Sequence, residues 1–204
     1  IIKKIGVRVK REEHSLIIQA DKINKTSLPK ELVVKLRGSI VLAGAILGRK
    51  SKVSFHHPGG DIIGRRSIET HLDGFKNLGA NLKRDDLNFT LSIPAGKNNG
   101  DLDFSLKEAS VTATENVILA TVLSKKVVEL KNCAKEPHIV DLCKMLKLMG
   151  ARIDGIGTDT LLIKGGDKLA GVRFKIGIDY NEVGTYAVAA AITGGKITLT
   201  NLDQ

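Results

Sequence analysis

A chain of 204 residues that is 42% hydrophobic buries a full core, but with no Trp and only 3% aromatics it offers no platform for stacking bases. Its net charge of +10, from 32 Lys and Arg against 22 Asp and Glu, favours anionic partners such as phosphorylated metabolites, nucleic acid or an anionic surface, although a solvated lysine-rich surface accounts equally for most of these side chains. No run approaches the roughly 18 apolar residues of a membrane span, and Cys133 and Cys143 lack metal-ligand spacing, so both read as ordinary thiols of a reduced, cytosolic compartment.

The first stretch, IIKKIGVRVK, reads neither as a signal peptide nor as an initiator sequence, so the chain is expected to have lost its true N-terminus. Residues 2–20 (IKKIGVRVKREEHSLIIQA) combine a helix end, a glycine, a short strand, a polar turn and a second alternating strand. The same series returns at 75–94 (FKNLGANLKRDDLNFTLSIP) and 146–165 (LKLMGARIDGIGTDTLLIKG). Gly6, Gly79 and Gly150 lie 73 and 71 residues apart, a repeat whose glycine suits the left-handed position that closes a helix. In phase with it run helices of small apolar residues at 38–48, 113–123 and 184–194, each followed by a strand beginning at Lys52, Lys126 or Lys196.

Arg37, in VVKLRGSIVL, opens the first of these helices, where guanidinium and helix dipole both attract anions. Next comes HHPGGDIIGRR (56–66), too polar and too rich in glycine for a core element, with the lone carboxylate of Asp61 beside three glycines and two arginines. By itself, Pro-Gly-Gly-Asp reads as a turn capped by its aspartate. Ser110-Val111-Thr112-Ala113-Thr114-Glu115-Asn116 places hydroxyls and free amides at the start of the second small-residue helix, which serves either as a plain N-cap or as a seat for a diphosphate. Glu136 precedes Pro137 at another helix start, and helix-start electrostatics alone account for it.

Each repeat therefore reads strand, helix, strand, helix, strand, strand, with helices rich in Ala and Gly buried nearly all round and sheets outside them. The frame enters late in one unit and stops early in another, as expected of a piece of a longer protein.

PGGDIIGRR with IETHLDGFKNLGA, SVTATENVILATVL, the long block 132–165 and VGTYAVAAAITGGKITLTN together resemble the UDP-N-acetylglucosamine 1-carboxyvinyltransferases, a family of enolpyruvyl transferases. The resemblance runs in order along essentially the whole chain and implies an inside-out α/β barrel built of βαβαββ units, of which this chain would supply roughly the middle half. Residues 1–177 would form most of the domain bearing the UDP-sugar site and the loop, and 178–204 the start of the second domain.

The implied reaction moves the enolpyruvyl group of phosphoenolpyruvate to the 3′-hydroxyl of UDP-N-acetylglucosamine, with no metal or organic cofactor and with neither nucleic acid nor membrane as partner. By the same resemblance Arg37 and Arg66 hold the anionic substrates, while Ser67, Ile68, Glu69 and His71 line the uridine pocket. Ser110, Val111 and Thr112 bind the diphosphate, and Glu136 lies near the active-site loop. His71 reads equally well as a satisfied helix histidine.

Asp61 stands where most of the family has the cysteine that fosfomycin alkylates. Gly59, Gly60 and Gly64 would let this loop close as a lid. The chain departs from the family at Arg65, at Thr112 (commonly glycine) and at Tyr180 (arginine). The family's Lys-Asn pair, its base-like aspartate and further arginines fall outside these residues, so the 204-residue chain alone is expected to be inactive. Two rivals are a shikimate 3-phosphate enolpyruvyl transferase of the same fold and a non-enzymatic RNA-binding homologue.

Overall fold

The computed structural model describes residues 1–61, 64, 67–95, 100–166, 168–200 and 202, and the chain divides into two compact units, Ile1–Ala170 and Gly171–Gln204. The first unit opens with a 3-10 turn, Ile2–Ile5, and a hairpin of β1 (Arg8–Glu12) and β2 (Ser15–Gln19). A short α1 (Lys30–Val33) and a second 3-10 turn (Arg37–Ile40) lead into α2 (Val41–Lys50), β3 (Lys52–His56), α3 (Glu69–Asn77), β4 (Asn81–Asp85) and β5 (Asn88–Ser92). Then follow β6 (Leu102–Ser105), α4 (Val111–Thr121), β7 (Val127–Lys131), α5 (Pro137–Leu148), β8 (Arg152–Asp154) and β9 (Thr160–Lys164).

Residues 102–164 make one complete βαβαββ unit. Strands β6 and β7 pair in parallel across the α4 crossover, β9 pairs antiparallel with both β7 and β8, and the order is β6-β7-β9-β8. The preceding unit has the same order, β3-β5-β4, with its first strand reduced to a single parallel bridge between Ser27 and Ser54.

The repeated glycines have φ of 102°, 90° and 103° at Gly6, Gly79 and Gly150. In each case the amide after the glycine reaches back five residues: Val7 to the Ile2 carbonyl at 3.1 Å, Ala80 to Phe75 at 3.0 Å and Ala151 to Leu146 at 2.9 Å. That is a Schellman closure, in which only glycine takes the left-handed position at little cost. The repeat read from the sequence is thus a repeated way of ending a helix and turning into a hairpin.

Alternation in β3, β5, β7 and β9 buries Val53, Phe55, Phe89, Leu91, Val128, Leu130, Leu161 and Ile163 on one face. These faces close over the helices, and α4 sits at the centre, packed against α2, α3 and α5. Gly44 and Gly48 bring α2 against the backbone of α4, because a Cβ at either position would collide with main-chain atoms of Asn116 or Leu119. Helices inside and sheets outside is therefore the arrangement of the first unit. Cys133 and Cys143 are buried in this core, where desolvation pushes their thiols up to about 12 and about 11.

Several expectations need correction. The first small-residue helix begins as a 3-10 turn at Arg37, and the second begins at Val111 rather than 113. The third, α6 (Tyr180–Thr193), starts four residues before 184 and, instead of being buried all round, has no buried residue. It is the one helix among the described residues of the 171–204 unit, and the described residues beside it, such as Leu199 and Leu202, border only one part of its surface. The strand expected from Lys196 does not form, and described residues 195–200 are irregular. A strand needs a neighbour to satisfy its amides and carbonyls, and this unit has none among its described residues.

Candidate active site

Helices α2, α3 and α4 run in the same direction: Gly44 faces Asn116 as Gly48 faces Ala120, and His71 meets Thr112 as Gly74 meets Val117. Their N-termini therefore share one end of the first unit, and free amides at such an end attract anions. Nearly all the residues expected at the site from the sequence stand there.

Arg37, half-buried in the turn before α2, donates from Nη2 to the Ser67 carbonyl at 2.7 Å and so ties the start of α2 to the start of α3. Ser67 Oγ accepts from the Glu69 amide at 3.0 Å, and Ile68 is buried as the anchor of that turn. Glu69 is turned aside to an exposed ion pair with Arg84 at 3.1 Å. Thr70 donates to Glu108 Oε1 at 3.0 Å, which links α3 to the approach of α4. Ser110 caps α4 by accepting from the Ala113 amide at 3.4 Å, and Val111 and Thr112 follow in the first turn.

His71 is buried with both ring nitrogens engaged: Nδ1 lies 2.9 Å from Asn116 Nδ2, and Nε2 lies 3.2 Å from Thr112 Oγ1. Burial, with a smaller contribution from the Arg37 charge, lowers its pKa from 6.5 to about 4. The ring is neutral at ordinary pH. His57 is shifted downward for the same two reasons, in the same order.

The glycine-rich loop begins against this end. Gly59 donates to the Val33 carbonyl at 3.2 Å, and a Cβ there would run into the Val34 carbonyl oxygen. Gly60, at φ 111°, passes beside the Arg37 backbone. Asp61 follows, exposed. Arg65 and Arg66 lie outside the described residues, so the expected second clamp has no position here.

Glu136 is the N-cap residue of α5, with Pro137 at the first helical position. One of its carboxylate oxygens is buried with no hydrogen-bond partner among the described residues. The Ala134 amide donates to Thr114 Oγ1 at 3.1 Å, so this segment is fastened to the first turn of α4.

Sequence reasoning placed Asn116 in the stretch that opens α4 but gave no separate role to it, although it is the most connected polar side chain at this end. The one signal for it was an amide-bearing residue inside a helix otherwise built of small and aliphatic residues. Elsewhere, a groove of about 520 Å³ beside β3 and β5, lined by Lys4, Lys25, Lys30, His56 and others, includes none of the expected site residues. Among the described residues no cluster of His, Cys, Asp and Glu is placed to hold a metal ion, and no helix is long and apolar enough to cross a membrane.

Comparison with known proteins gives a consistent picture. The family model described as EPSP synthase (3-phosphoshikimate 1-carboxyvinyltransferase) matches residues 1–204. A UDP-N-acetylglucosamine 1-carboxyvinyltransferase of Treponema denticola is 42% identical over 194 residues, 95% of this chain and 45% of that protein. The enzyme of the same name from Borreliella burgdorferi is 42% identical over 203 residues, 100% of this chain and 47% of that protein.

The chain thus spans about half the length of the curated relatives it matches. Among solved structures, the enolpyruvyl transferase NikO from Streptomyces tendae superposes with a TM-score of 0.76 at 19% identity, covering 93% of this chain and 45% of that one. EPSP synthase from Acinetobacter baumannii does so with a TM-score of 0.62 at 17% identity, covering 93% and 43%. At these identities the two structures speak for the fold, and the family model speaks for descent: the chain belongs to the EPSP synthase (3-phosphoshikimate 1-carboxyvinyltransferase) family.

Proposed function

We propose that this chain forms part of the active site of a transferase that moves the enolpyruvyl group of phosphoenolpyruvate to the 3′-hydroxyl of UDP-N-acetylglucosamine. The hydroxyl adds to the enolpyruvyl carbon to give a tetrahedral ketal that still carries the phosphate, and elimination then releases phosphate. The observation that carries an anion site is the shared end of α2, α3 and α4, with Arg37 fastened across it. What favours the UDP-sugar as acceptor is the name borne by relatives 42% identical over 95% or more of this chain.

In this reading Arg37 and Arg66 hold the substrate anions, and Ser67, Ile68, Glu69 and His71 border the nucleoside. Ser110, Val111 and Thr112 seat the diphosphate, Glu136 supports the loop, and Asp61 is the acid at its tip. Residues 1–177 belong to the sugar-binding domain and 178–204 begin the second. The product feeds peptidoglycan synthesis in the cytoplasm, where it serves cell shape and division.

The test is phosphate release by the intact protein from phosphoenolpyruvate, with each acceptor in turn. Release with UDP-N-acetylglucosamine alone is expected; release with shikimate 3-phosphate instead would give the site to the acceptor in the family model's own name. The 204-residue chain by itself is expected to release none.

A further inference from the structure

Asn116 is fully buried, and its amide orientation is fixed by its neighbours. Its Oδ1 accepts from the Gly44 amide at 2.7 Å, a group that can only donate, and its Nδ2 donates to the Ile40 carbonyl at 3.1 Å, a group that can only accept. The same Nδ2 faces His71 Nδ1 at 2.9 Å. A nitrogen facing an N–H donor must present its lone pair, so the proton of the neutral ring sits on Nε2. Nε2 in turn lies 3.2 Å from Thr112 Oγ1. The oxygen of Thr112 is therefore the acceptor of that bond, and its own proton is left over. Among the described residues no protein group takes it.

We propose that Asn116 is a positioning residue for the ligand end. It holds His71 as the Nε2–H tautomer, and His71 in turn engages a lone pair of Thr112, so that the Thr112 hydroxyl is turned outward to donate to a phosphate oxygen of the ligand. This rests on the proposed UDP-sugar seat at the start of α4, and it gives that seat a side-chain donor where a glycine would offer only backbone. The bond is one between a neutral donor and an ionised acceptor, a class that contributes more than a neutral pair.

The chain of contacts crosses three helices, from the Ile40 carbonyl through α4 to α3 and back to the first turn of α4. It has one polarity only. Reversing the ring would set Nδ1–H against the Asn116 N–H and leave both donors buried without acceptors, a costly arrangement.

The experiment is long-range proton–nitrogen correlation of the 204-residue chain with ring-labelled histidine at pH 7, combined with titration of UDP as the probe. One imidazole, identified by its loss in His71→Gln, should carry its proton on Nε2. In Asn116→Asp, where both side-chain oxygens accept, that signature should change to the Nδ1–H form. Thr112→Val should keep the signature and weaken UDP about tenfold or more, and Thr112→Ser should restore binding. An Nδ1–H ring in the unsubstituted chain overturns the proposal. So does Thr112→Val binding UDP as well as the unsubstituted chain does. Absence of UDP binding by a chain that shows the Nε2–H ring overturns the diphosphate seat and with it the role of the Thr112 donor, while the tautomer set by Asn116 stands as measured.

Discussion

At the scale of single residues, His71 makes the sharpest physical statement. An unfolded histidine takes up a proton below about 6.5, whereas folded His71 resists until about 4. Its contribution is therefore full above pH 6.5 and is lost as the pH falls from 6.5 to 4, because only the unfolded chain binds the proton there. The loss amounts to something on the order of 3 kcal/mol. Urea unfolding between pH 4 and 7 should show a shallower pH slope in His71→Gln than in the unsubstituted chain. Equal slopes would mean that the ring does titrate in place, against the nearby Arg37 charge. Asp61 carries the second prediction: the intact protein should resist fosfomycin, since a carboxylate lacks the sulfur that is alkylated. Asp61→Cys should remain active and become sensitive, as read by time-dependent loss of phosphate release. Of this site, Arg37 and the Ser110 cap were legible in the sequence because their chemistry is local to a helix start. Asn116 was not, since its meaning comes from Gly44 and Ile40, 72 and 76 residues away.

At the scale of elements, the packing of α2 on α4 is decided by the absence of a side chain. A Cβ at Gly44 would enter the space of the Asn116 main chain and side chain, whereas one at Gly38 would meet nothing within 4 Å. Gly44→Ala should cost about 1–3 kcal/mol, as overpacking does, and disturb the Asn116 contacts with it. Gly38→Ala should be neutral or slightly stabilising. Midpoints of chemical unfolding compare the two, and a Gly44→Ala chain as stable as Gly38→Ala would contradict the close helix contact. The repeat itself could be read in advance because a Schellman closure writes glycine at a fixed place in each unit. The exposure of α6 could not: its small-residue composition matches that of α4, and only a covering partner turns such a helix into a core element.

On the scale of the whole molecule, the buried apolar core among the described residues lies between Ile5 and Ile163. A chain ending at Ala170 should therefore unfold at the same urea midpoint as all 204 residues, and a marked drop would show that the second unit contributes to that core. Within the first unit, the C-termini of α2, α3 and α4 meet around Lys126 at the end opposite their N-termini, and the Lys126 ammonium donates to the Leu78 carbonyl that closes α3 at 2.8 Å. This arrangement follows from connectivity alone: a helix that joins two parallel strands must run back against them, as between β6 and β7 and across the Ser27–Ser54 bridge, so every added repeat turns another set of free amides toward the same end. The preference for anions is thus inherited with the winding of the chain, before any side chain at that end is chosen. Side chains there, such as Thr112 in the first turn of α4, are then free to vary without altering the core. Such freedom offers a route by which one fold came to serve enzymes named for acceptors as different as shikimate 3-phosphate and a nucleotide sugar.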